Sequence, residues 1–430
     1  MALLWFLAAV IVTLAMGMPI AYSLLIAGLA LMAWQGMSDP QIVAFTVING
    51  ADSYALLAIP FFVLAGELMN AGGLSRRIVD LAVHLVGHRR GGLGYVVIVV
   101  GIVLSAVSGS AVADAAAMAA FLLPMMKRDG YDTARAAGLV ATAGLLGPII
   151  PPSLALILYG VMSNTSVSRL FLAGVFPGLM MAIVLTLTWR WLMRRDEATG
   201  PPQRPRARLA TVLRSLRAAL WALGLPCIII LGLRFGVVTA TEAAVVSAVY
   251  SALIAIVVYR ELPVRALPRL ALSAMMTSAT IMFIIACAML GSWMIAVSGA
   301  ARELTALAGP LVDSPRLLVG AVCLLVLLLG TALETGPILL ILTPLVMPLV
   351  ARAGIDPVYF GIVYVLSGVI GMVSPPVGSV LAVVSSVGKV DYATVSRGVT
   401  PFMLTQVLLL ALMVAIPQLV TVPAAWLSRP

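Results

Sequence analysis

Two pairs of adjacent prolines stand inside otherwise apolar segments of the chain. They occur in GPIIPPS (147–153) and in GMVSPPVG (371–378). Consecutive prolines remove two backbone N–H donors and clash with the preceding turn, so each pair is expected to interrupt a helix. The half-helix before a break ends in unpaired carbonyl groups that suit Na⁺, and the half after it begins with N–H groups that suit an anion. The breaks therefore predict sites for a small cation and an anion.

Small or hydroxylated residues beside the prolines could complete these sites. The candidates are the hydroxyl ligands Ser153, Ser374 and Thr335, and the glycines Gly147, Gly371 and Gly378, which permit close approach of the backbone. The alternative interpretation is that the prolines only kink transmembrane helices. Two breaks, each a fixed distance behind a polar interruption, favour the binding sites.

The polar interruptions lie in two long apolar stretches, 93–126 and 318–350. Their centres read Ser108-Gly109-Ser110-Ala111 and Glu334-Thr335-Gly336-Pro337. Each stretch is long enough to enter a membrane and return once. Backbone that leaves the helix at membrane depth must be buried in protein or line a wet cavity. We predict two re-entrant helical hairpins whose tips face the Pro-Pro breaks, although the first tip could instead be a packing contact of small residues.

Four acidic residues lie inside or beside the apolar segments. Asp114 and Glu334 are closest to the expected membrane midplane, where a carboxylate is costly and usually functional. Asp114 follows the first tip by one helical turn and could equally cap the helix. Glu67 and Glu242 lie nearer to span ends and are interpreted as structural.

No enzyme motif with the right context is present, so no catalytic residue is predicted. His84 and His88 are four residues apart and could hold a metal, but no third ligand is nearby. Neither a nucleotide-binding loop nor a nucleophile motif appears. We expect no cofactor, no metal other than Na⁺ and no ATP-driven chemistry by this chain.

Composition decides which solvent surrounds these residues. Of the 430 residues, 62% are hydrophobic and only 10% are charged, and the mean hydropathy is +1.15. An ordinary soluble domain is about 25% charged. The surface must therefore face lipid, which predicts an all-α polytopic membrane protein with lipids as neighbours. The net charge of +10 sits largely in short loops, so nucleic acid is not expected as a partner. The three cysteines are interpreted as buried small hydrophobes.

Ten further segments are long and apolar enough to cross a membrane. The predicted crossings are 2–17, 18–36, 53–72, 135–163, 170–193, 213–235, 240–259, 268–296, 357–388 and 399–421. With ten crossings and two hairpins, most basic loops share the cytoplasmic side and both termini lie outside. The fewer basic residues on the opposite side are Arg169, Arg302, Arg316 and Arg352. We predict a first half (1–195), a Pro- and Arg-rich cytoplasmic linker (196–210) and a second half (211–430).

Identical residues recur in the two halves of the chain at a constant offset of 224 positions. The matched residues are Pro124 with Pro348, Arg128 with Arg352, Gly130 with Gly354, Asp132 with Asp356, Gly144 with Gly368, Gly147 with Gly371, and Pro151-Pro152 with Pro375-Pro376. Five crossings, an odd number, separate the hairpins, so the repeats are expected to be inverted. Inverted repeats place substrate and ion sites near the bilayer midplane.

The chain resembles the large permease subunit of TRAP transporters (tripartite ATP-independent periplasmic transporters) of the C4-dicarboxylate and sialic acid type. The matching segments are LLAIPFFVLAGELMNAGGLSRR (56–77), SGSAVADAAAM (108–118), IPPS (150–153), GIDPVYFGIV (354–363) and SPPVG (374–378). The resemblance implies a transport domain that moves against a scaffold, Na⁺ coupling and import of a small organic anion across the bacterial inner membrane. It also implies a separate small membrane subunit and a periplasmic substrate-binding protein.

Carried over by motif, the resemblance assigns roles to individual residues. The Na⁺ ligands would be Ser108, Gly109, Ser110, Gly147, Glu334, Thr335, Gly336, Gly371 and Ser374. The substrate contacts would be Ser110, Pro151, Pro152, Ser153, Thr335, Pro375, Pro376 and Gly378. The family more often has Asp at Glu334, Asn at Ser367 and Thr at Ser374, so the second ion site departs from the family pattern.

Two other functions fit parts of the sequence. A self-sufficient Na⁺/organic-anion symporter of the same architecture would need no soluble partner. A membrane-embedded enzyme for lipid substrates would need clustered acids, histidines or a metal, and the sequence offers only isolated carboxylates.

Overall fold

The computed structural model describes residues 2–37, 39–195, 205–299 and 313–428, together with 303 and 309. The predicted linker lies outside the described residues as far as residue 204, and so does Arg302. Within the described residues all regular structure is helical. The helices of the first half are α1 (Ala2–Ala15), α2 (Ile20–Trp34), α3 (Pro40–Ala51), α4 (Ala58–Ala71), α5 (Leu74–Val86), α6 (Gly92–Ser108), α7 (Ala111–Arg128), α8 (Thr133–Gly144), α9 (Leu154–Met162) and α10 (Val167–Arg195).

The second half has the same succession of long helices, hairpin and interrupted helix. Its helices are α11 (Leu209–Arg234), α12 (Ala240–Leu253), α13 (Leu267–Val297), α14 (Pro315–Gly330), α15 (Thr335–Arg352), α16 (Pro357–Gly371), α17 (Ser379–Gly388), α18 (Tyr392–Ala415) and α19 (Gln418–Ser428). Short 3₁₀ turns precede α4 and α13, and α12 continues into a π-helical turn, Ile254–Val258.

The predicted all-α membrane fold is confirmed. Seven of the described helices are long and apolar enough to cross a membrane, and large apolar side chains such as Leu209 and Met276 are exposed, as a lipid-facing surface requires. Three details differ. Helix α3 was not expected, the last crossing begins at Tyr392 and is followed by a separate α19, and Cys227 is exposed rather than buried.

The first predicted hairpin, 93–126, corresponds to α6 and α7. The two helices pack on each other, and the Leu93 N–H at the start of α6 lies 3.1 Å from the Tyr131 hydroxyl, just beyond the end of α7. The chain therefore returns to the end at which it entered. The turn is at Gly109, which has a φ of +62°.

The second predicted hairpin, 318–350, corresponds to α14 and α15. Cys323 on α14 lies 3.7 Å from the Val363 carbonyl, and the end of α14 lies against the end of α16, so these helices run in the same direction. Helix α15 runs the opposite way, since Thr335 at its start lies 3.2 Å from Met372 Sδ beyond the end of α16. The break differs slightly from the prediction. It spans 331–334, and Thr335, Gly336 and Pro337 form the first turn of α15.

The two hairpins enter from opposite ends of the interrupted helix α16–α17. At its start, the Pro357 carbonyl, beside the base of the second hairpin, accepts a 2.8 Å hydrogen bond from the Tyr159 hydroxyl. At its finish, the Gly388 carbonyl accepts a 2.8 Å hydrogen bond from Lys127 Nζ, at the base of the first hairpin. Since α16–α17 connects the two bases, the hairpins point toward each other, as an inverted repeat requires.

Helix limits reproduce the offset of 224 residues. Helices α7 and α15 have the same length and corresponding ends, Ala111–Arg128 and Thr335–Arg352, and α8 and α16 begin at corresponding residues. The local cause is the same in both repeats. Asp132 and Asp356 cap these helices by accepting hydrogen bonds of 2.8 and 2.9 Å from backbone N–H groups.

Helices α2–α5 and α11–α13 form a second group beside the hairpins. Helices α2, α3 and α4 pack on α13, α12 packs on α4, and α11 packs on α5. This group meets the hairpins where α4 packs on α6 and α13 packs on α15. The candidate site lies between the two groups.

Candidate functional site

Both hairpin tips line one cavity of about 730 Å³. Residues 108–113 and 334–337 form one wall, and residues of α4 and α13 form another. Small-molecule sites typically measure about 300–1,000 Å³. The sequence analysis predicted that each tip faces a Pro-Pro break, and the structure also brings both tips to one cavity.

The first tip is built by a helix cap. Ser110 adopts an extended conformation, and its hydroxyl accepts a hydrogen bond from the Ala113 N–H at 3.4 Å. Gly109 supplies the left-handed turn before it, and a Cβ there would lie 2.5 Å from the Pro152 carbonyl oxygen. The tip is therefore held directly against the first Pro-Pro break.

Asp114 is the acidic residue of this tip, and it does not cap the helix. It is 3% exposed, and Oδ1 accepts a hydrogen bond from the Ser108 hydroxyl at 2.5 Å. Its second oxygen, Oδ2, is buried without a hydrogen-bond partner. A buried carboxylate oxygen without a donor is strongly unfavourable unless a cation or proton accompanies it. The sequence left open whether Asp114 belongs to a site or caps α7. Ser110 is the capping residue, so the capping interpretation of Asp114 is wrong.

Gly147 lies beside Asp114, at the end of the first half of the interrupted helix. A Cβ at this position would lie 2.6 Å from Asp114 Oδ2 and within 3.2 Å of the Ser110 backbone. Glycine is required because any side chain would fill the space beside the unpartnered oxygen. Ser108, Ser110 and Gly147 thus meet as expected, and Asp114 joins them.

The second tip is arranged differently. Glu334 is exposed and precedes α15 without a side-chain capping bond, whereas the Thr335 hydroxyl is buried against Met372. The Ser374 hydroxyl donates to the Ile370 carbonyl at 3.0 Å, and the Ser367 hydroxyl donates to the Tyr364 carbonyl at 2.7 Å. Both hydroxyls keep oxygen lone pairs that a cation could use, but Glu334 is exposed, so the second set lacks the buried carboxylate that the first set has in Asp114.

Some of the N–H groups that the sequence predicted to be free after each break are hydrogen-bonded in the structure. The Gly378 N–H donates to the Thr331 carbonyl at 2.9 Å, and the Val380 N–H donates to the Met372 carbonyl at 3.2 Å. In the first repeat the Leu156 N–H donates to the Ser153 hydroxyl at 3.1 Å. Ser153 in turn donates to the Pro148 carbonyl. Among the described residues the Leu154 and Ala155 N–H groups, at the start of α9, have no protein acceptor, and both residues line the cavity.

Several predicted contacts do not line the cavity. These residues are Gly147, Pro151, Pro152, Ser153, Gly371, Ser374, Pro375, Pro376 and Gly378. The first Pro-Pro pair is buried behind the tip, and the second is exposed elsewhere on the surface. The interrupted helices line the cavity with other residues, among them Pro148, Leu154 and Met372.

The wall formed by α4 and α13 contains Glu67, which the sequence analysis interpreted as structural. Glu67 on α4 lines the cavity, and its Oε1 is 3.3 Å from the Ser273 hydroxyl on α13. The sequence placed Glu67 only near a span end, and no local signal showed what α13 would bring opposite it. Glu242 is structural as expected, because it forms a capping box with Thr239.

The histidine pair lies away from this cavity. His84 Nδ1 is 2.7 Å from the Ser215 hydroxyl on α11, and both histidines line a small separate pocket with Pro205 and Ala207. Within the described part of the chain no three metal-ligating side chains are grouped.

Comparison with known proteins identifies the fold and the family. The family model for the tripartite ATP-independent periplasmic transporter, DctM component, matches residues 7–419. The chain is 47% identical over 428 residues to the 2,3-diketo-L-gulonate TRAP transporter large permease protein YiaN of Escherichia coli (strain K12), and all of both chains is covered. It is 36% identical to the sialic acid TRAP transporter large permease protein SiaM of Vibrio cholerae, covering 94% of this chain and 93% of that one.

The chain is also similar to a dicarboxylate permease in sequence and to a solved transporter structure in fold. The C4-dicarboxylate TRAP transporter large permease protein DctM of Pseudomonas aeruginosa is 36% identical, with 90% of each chain covered. The Alcanivorax borkumensis YdaH transporter has a TM-score of 0.65 at 17% identity, covering 91% of this chain and 90% of that one, which shows the shared fold alone. On the family match and these full-length relatives, the chain belongs to the TRAP transporter large permease family, as a multi-pass protein of the bacterial inner membrane.

Proposed function

We propose that this permease imports a small organic acid by Na⁺ symport, together with a small membrane subunit and a periplasmic substrate-binding protein. The observation that carries the Na⁺ coupling is the buried Asp114 carboxylate, whose Oδ2 has no protein donor. It stands beside Gly147 and the Ser108–Ser110 tip, which supply carbonyl and hydroxyl oxygens. Oxygen ligands around a carboxylate suit a hard monovalent cation.

The anion would bind in front of this cation. Ala111 and Val112 line the cavity in the first turn of α7, where the helix dipole favours negative charge. Among the described residues their N–H groups have no protein acceptor. Occupation of the cation site would lower the negative potential around Asp114 and admit the anion, which couples the two.

The cargo and partners are inferred from the relatives. Their names specify 2,3-diketo-L-gulonate, sialic acid and C4-dicarboxylates, and all of these are carboxylic acids. TRAP large permeases work with a small membrane subunit and a periplasmic binding protein, so we assign the same partners here. Alternating access would come from movement of the hairpins and interrupted helices against the group formed by α2–α5 and α11–α13.

Reconstitution tests this proposal. Proteoliposomes that contain both membrane subunits should accumulate the ligand of the co-encoded binding protein only with an inward Na⁺ gradient and loaded binding protein. A K⁺ gradient of equal size is the control. Uptake without binding protein would favour the self-sufficient symporter, and uptake without Na⁺ would contradict the coupling.

The second Pro-Pro break offers a more local test. Replacing Pro375 and Pro376 with alanine restores two N–H donors and removes the steric reason for the interruption. We expect a continuous helix, about tenfold weaker apparent Na⁺ affinity and unchanged membrane insertion, since each tenfold corresponds to about 1.4 kcal/mol. The apparent Na⁺ affinity is measured from uptake rates at increasing Na⁺ concentration. The matched control is Pro401→Ala, in the long helix α18. Equal Na⁺ dependence in both variants would show that the second break takes no part in Na⁺ coupling.

A further inference from the structure

The charges around the cavity restrict which organic acid it can accept. Two carboxylates, Glu67 and Glu334, belong to residues that line it. Among the described residues of the lining there is no lysine, arginine or histidine. Nothing in the wall can therefore neutralise a second negative charge on the cargo.

The polar side chains of the wall that α4 and α13 form are mainly hydrogen-bond acceptors. The Thr277 and Thr280 hydroxyls donate to the Ser273 and Met276 carbonyls of their own helix at 3.1 and 3.0 Å. In this arrangement their oxygens are available as acceptors. Glu67 Oε1 is 3.3 Å from the Ser273 hydroxyl, and for Oε2 the described residues provide no donor.

Asn70 is the exception on this wall. Its side-chain oxygen accepts a hydrogen bond from the Ser75 hydroxyl at 2.8 Å, which leaves its amide group to donate. One neutral amide cannot balance the Glu67 carboxylate. A ligand group that lies here must itself donate, as a hydroxyl does and an ionised carboxylate does not.

We propose that the cavity selects polyhydroxylated monocarboxylates over dicarboxylates, with Glu67 as the specificity-determining residue. The single carboxylate points to the first turn of α7, and the hydroxyls at the other end of the cargo donate to Glu67, Thr277 and Thr280. A second carboxylate at that end would face Glu67 without a counter-charge. This inference rests on the proposed function, because it uses the same cavity and orientation of cargo.

Binding of D-gluconate and D-glucarate tests the proposal, because these acids differ only in whether C6 is a hydroxymethyl group or a carboxylate. The full-length permease in nanodiscs is titrated with each acid, and with L-threonate, in NaCl and in KCl of equal ionic strength. We expect D-gluconate to bind at least tenfold more tightly than D-glucarate in NaCl. Glu67→Gln should reduce that ratio about tenfold, because it removes the repulsion and keeps the side-chain shape.

Controls separate selectivity from folding and from coupling. Glu242→Gln changes an exposed carboxylate outside the cavity and retains a residue suited to its capping box, so it should keep the wild-type ratio. Glu67→Asp keeps the charge and should keep the preference for the monocarboxylate.

Three results would overturn the role of Glu67: tighter binding of D-glucarate, an unchanged ratio in Glu67→Gln, or binding of neither monocarboxylate. Equal binding in NaCl and KCl would instead contradict the Na⁺ coupling of the proposed function, whatever the ratio. Na⁺-dependent binding with an unchanged ratio would leave the proposed function intact and reject only this inference.

Discussion

Replacing Asp114 with asparagine should reduce Na⁺-driven uptake by about two orders of magnitude. Asparagine keeps the size of the side chain and an acceptor for the Ser108 hydroxyl, which lies 2.5 Å from Oδ1. It removes the charge of the oxygen that has no protein partner. A hydrogen bond to a charged group contributes about 1.5–3 kcal/mol, and we expect the contact between ion and carboxylate to contribute at least as much; about 1.4 kcal/mol corresponds to a factor of ten.

The fold should survive this substitution, because a neutral amide is less costly to bury than an unpaired carboxylate. Uptake rates against Na⁺ concentration in proteoliposomes, with the yield of purified protein, measure the two effects separately. Asp80→Asn is the matched control, since Asp80 is an exposed carboxylate on α5. Wild-type Na⁺ dependence in the Asp114 variant would show that the carboxylate does not hold the coupling ion.

Replacing Gly109 with alanine should impair transport at least tenfold, whereas Gly130→Ala should have little effect on it. Both glycines have positive φ, +62° and +81°, so both variants incur the left-handed penalty of about 1–2 kcal/mol. They differ in their surroundings. A Cβ at Gly109 would lie 2.5 Å from the Pro152 carbonyl oxygen, and a Cβ at Gly130 would have no heavy atom within 4 Å.

The difference between the two variants isolates the contact of the tip with the interrupted helix. Overpacking typically costs about 1–3 kcal/mol, and here it would push the tip away from the break and widen the cation site. Thermal unfolding of the purified variants measures the shared backbone penalty, and Na⁺-dependent uptake measures the site. Equal loss of uptake in both variants would mean that left-handed strain, and not the contact with Pro152, explains the effect.

The asymmetry between the two tips has a consequence for coupling. The first tip holds a buried carboxylate, while the hydroxyls of Ser374 and Ser367 in the second repeat are bound to backbone carbonyls. Both halves contain corresponding helices, but the side chains at the two tips differ. The stronger dependence on Na⁺ is therefore expected to arise from residues around Asp114.

The sequence alone determined the architecture of this protein. Apolar runs must be helical in lipid, because only a helix or a closed barrel satisfies backbone hydrogen bonds there. Pro-Pro pairs and Ser-Gly-Ser break helices through their own covalent structure, so the hairpins and interruptions could be located along the chain. The repeated Asp caps at 132 and 356 fixed corresponding helix starts for the same local reason.

Only the tertiary structure decided which of these residues meet. Asp114 and Gly147 are 33 positions apart in sequence, and their contact depends on how α8 folds back along α7. Glu67 enters the cavity wall because α13, about 200 residues later, packs on α4. After the second break, the Gly378 and Val380 N–H groups donate to the Thr331 and Met372 carbonyls. Local patterns fix where a helix stops, but contacts between distant helices decide which exposed groups remain free to bind a ligand.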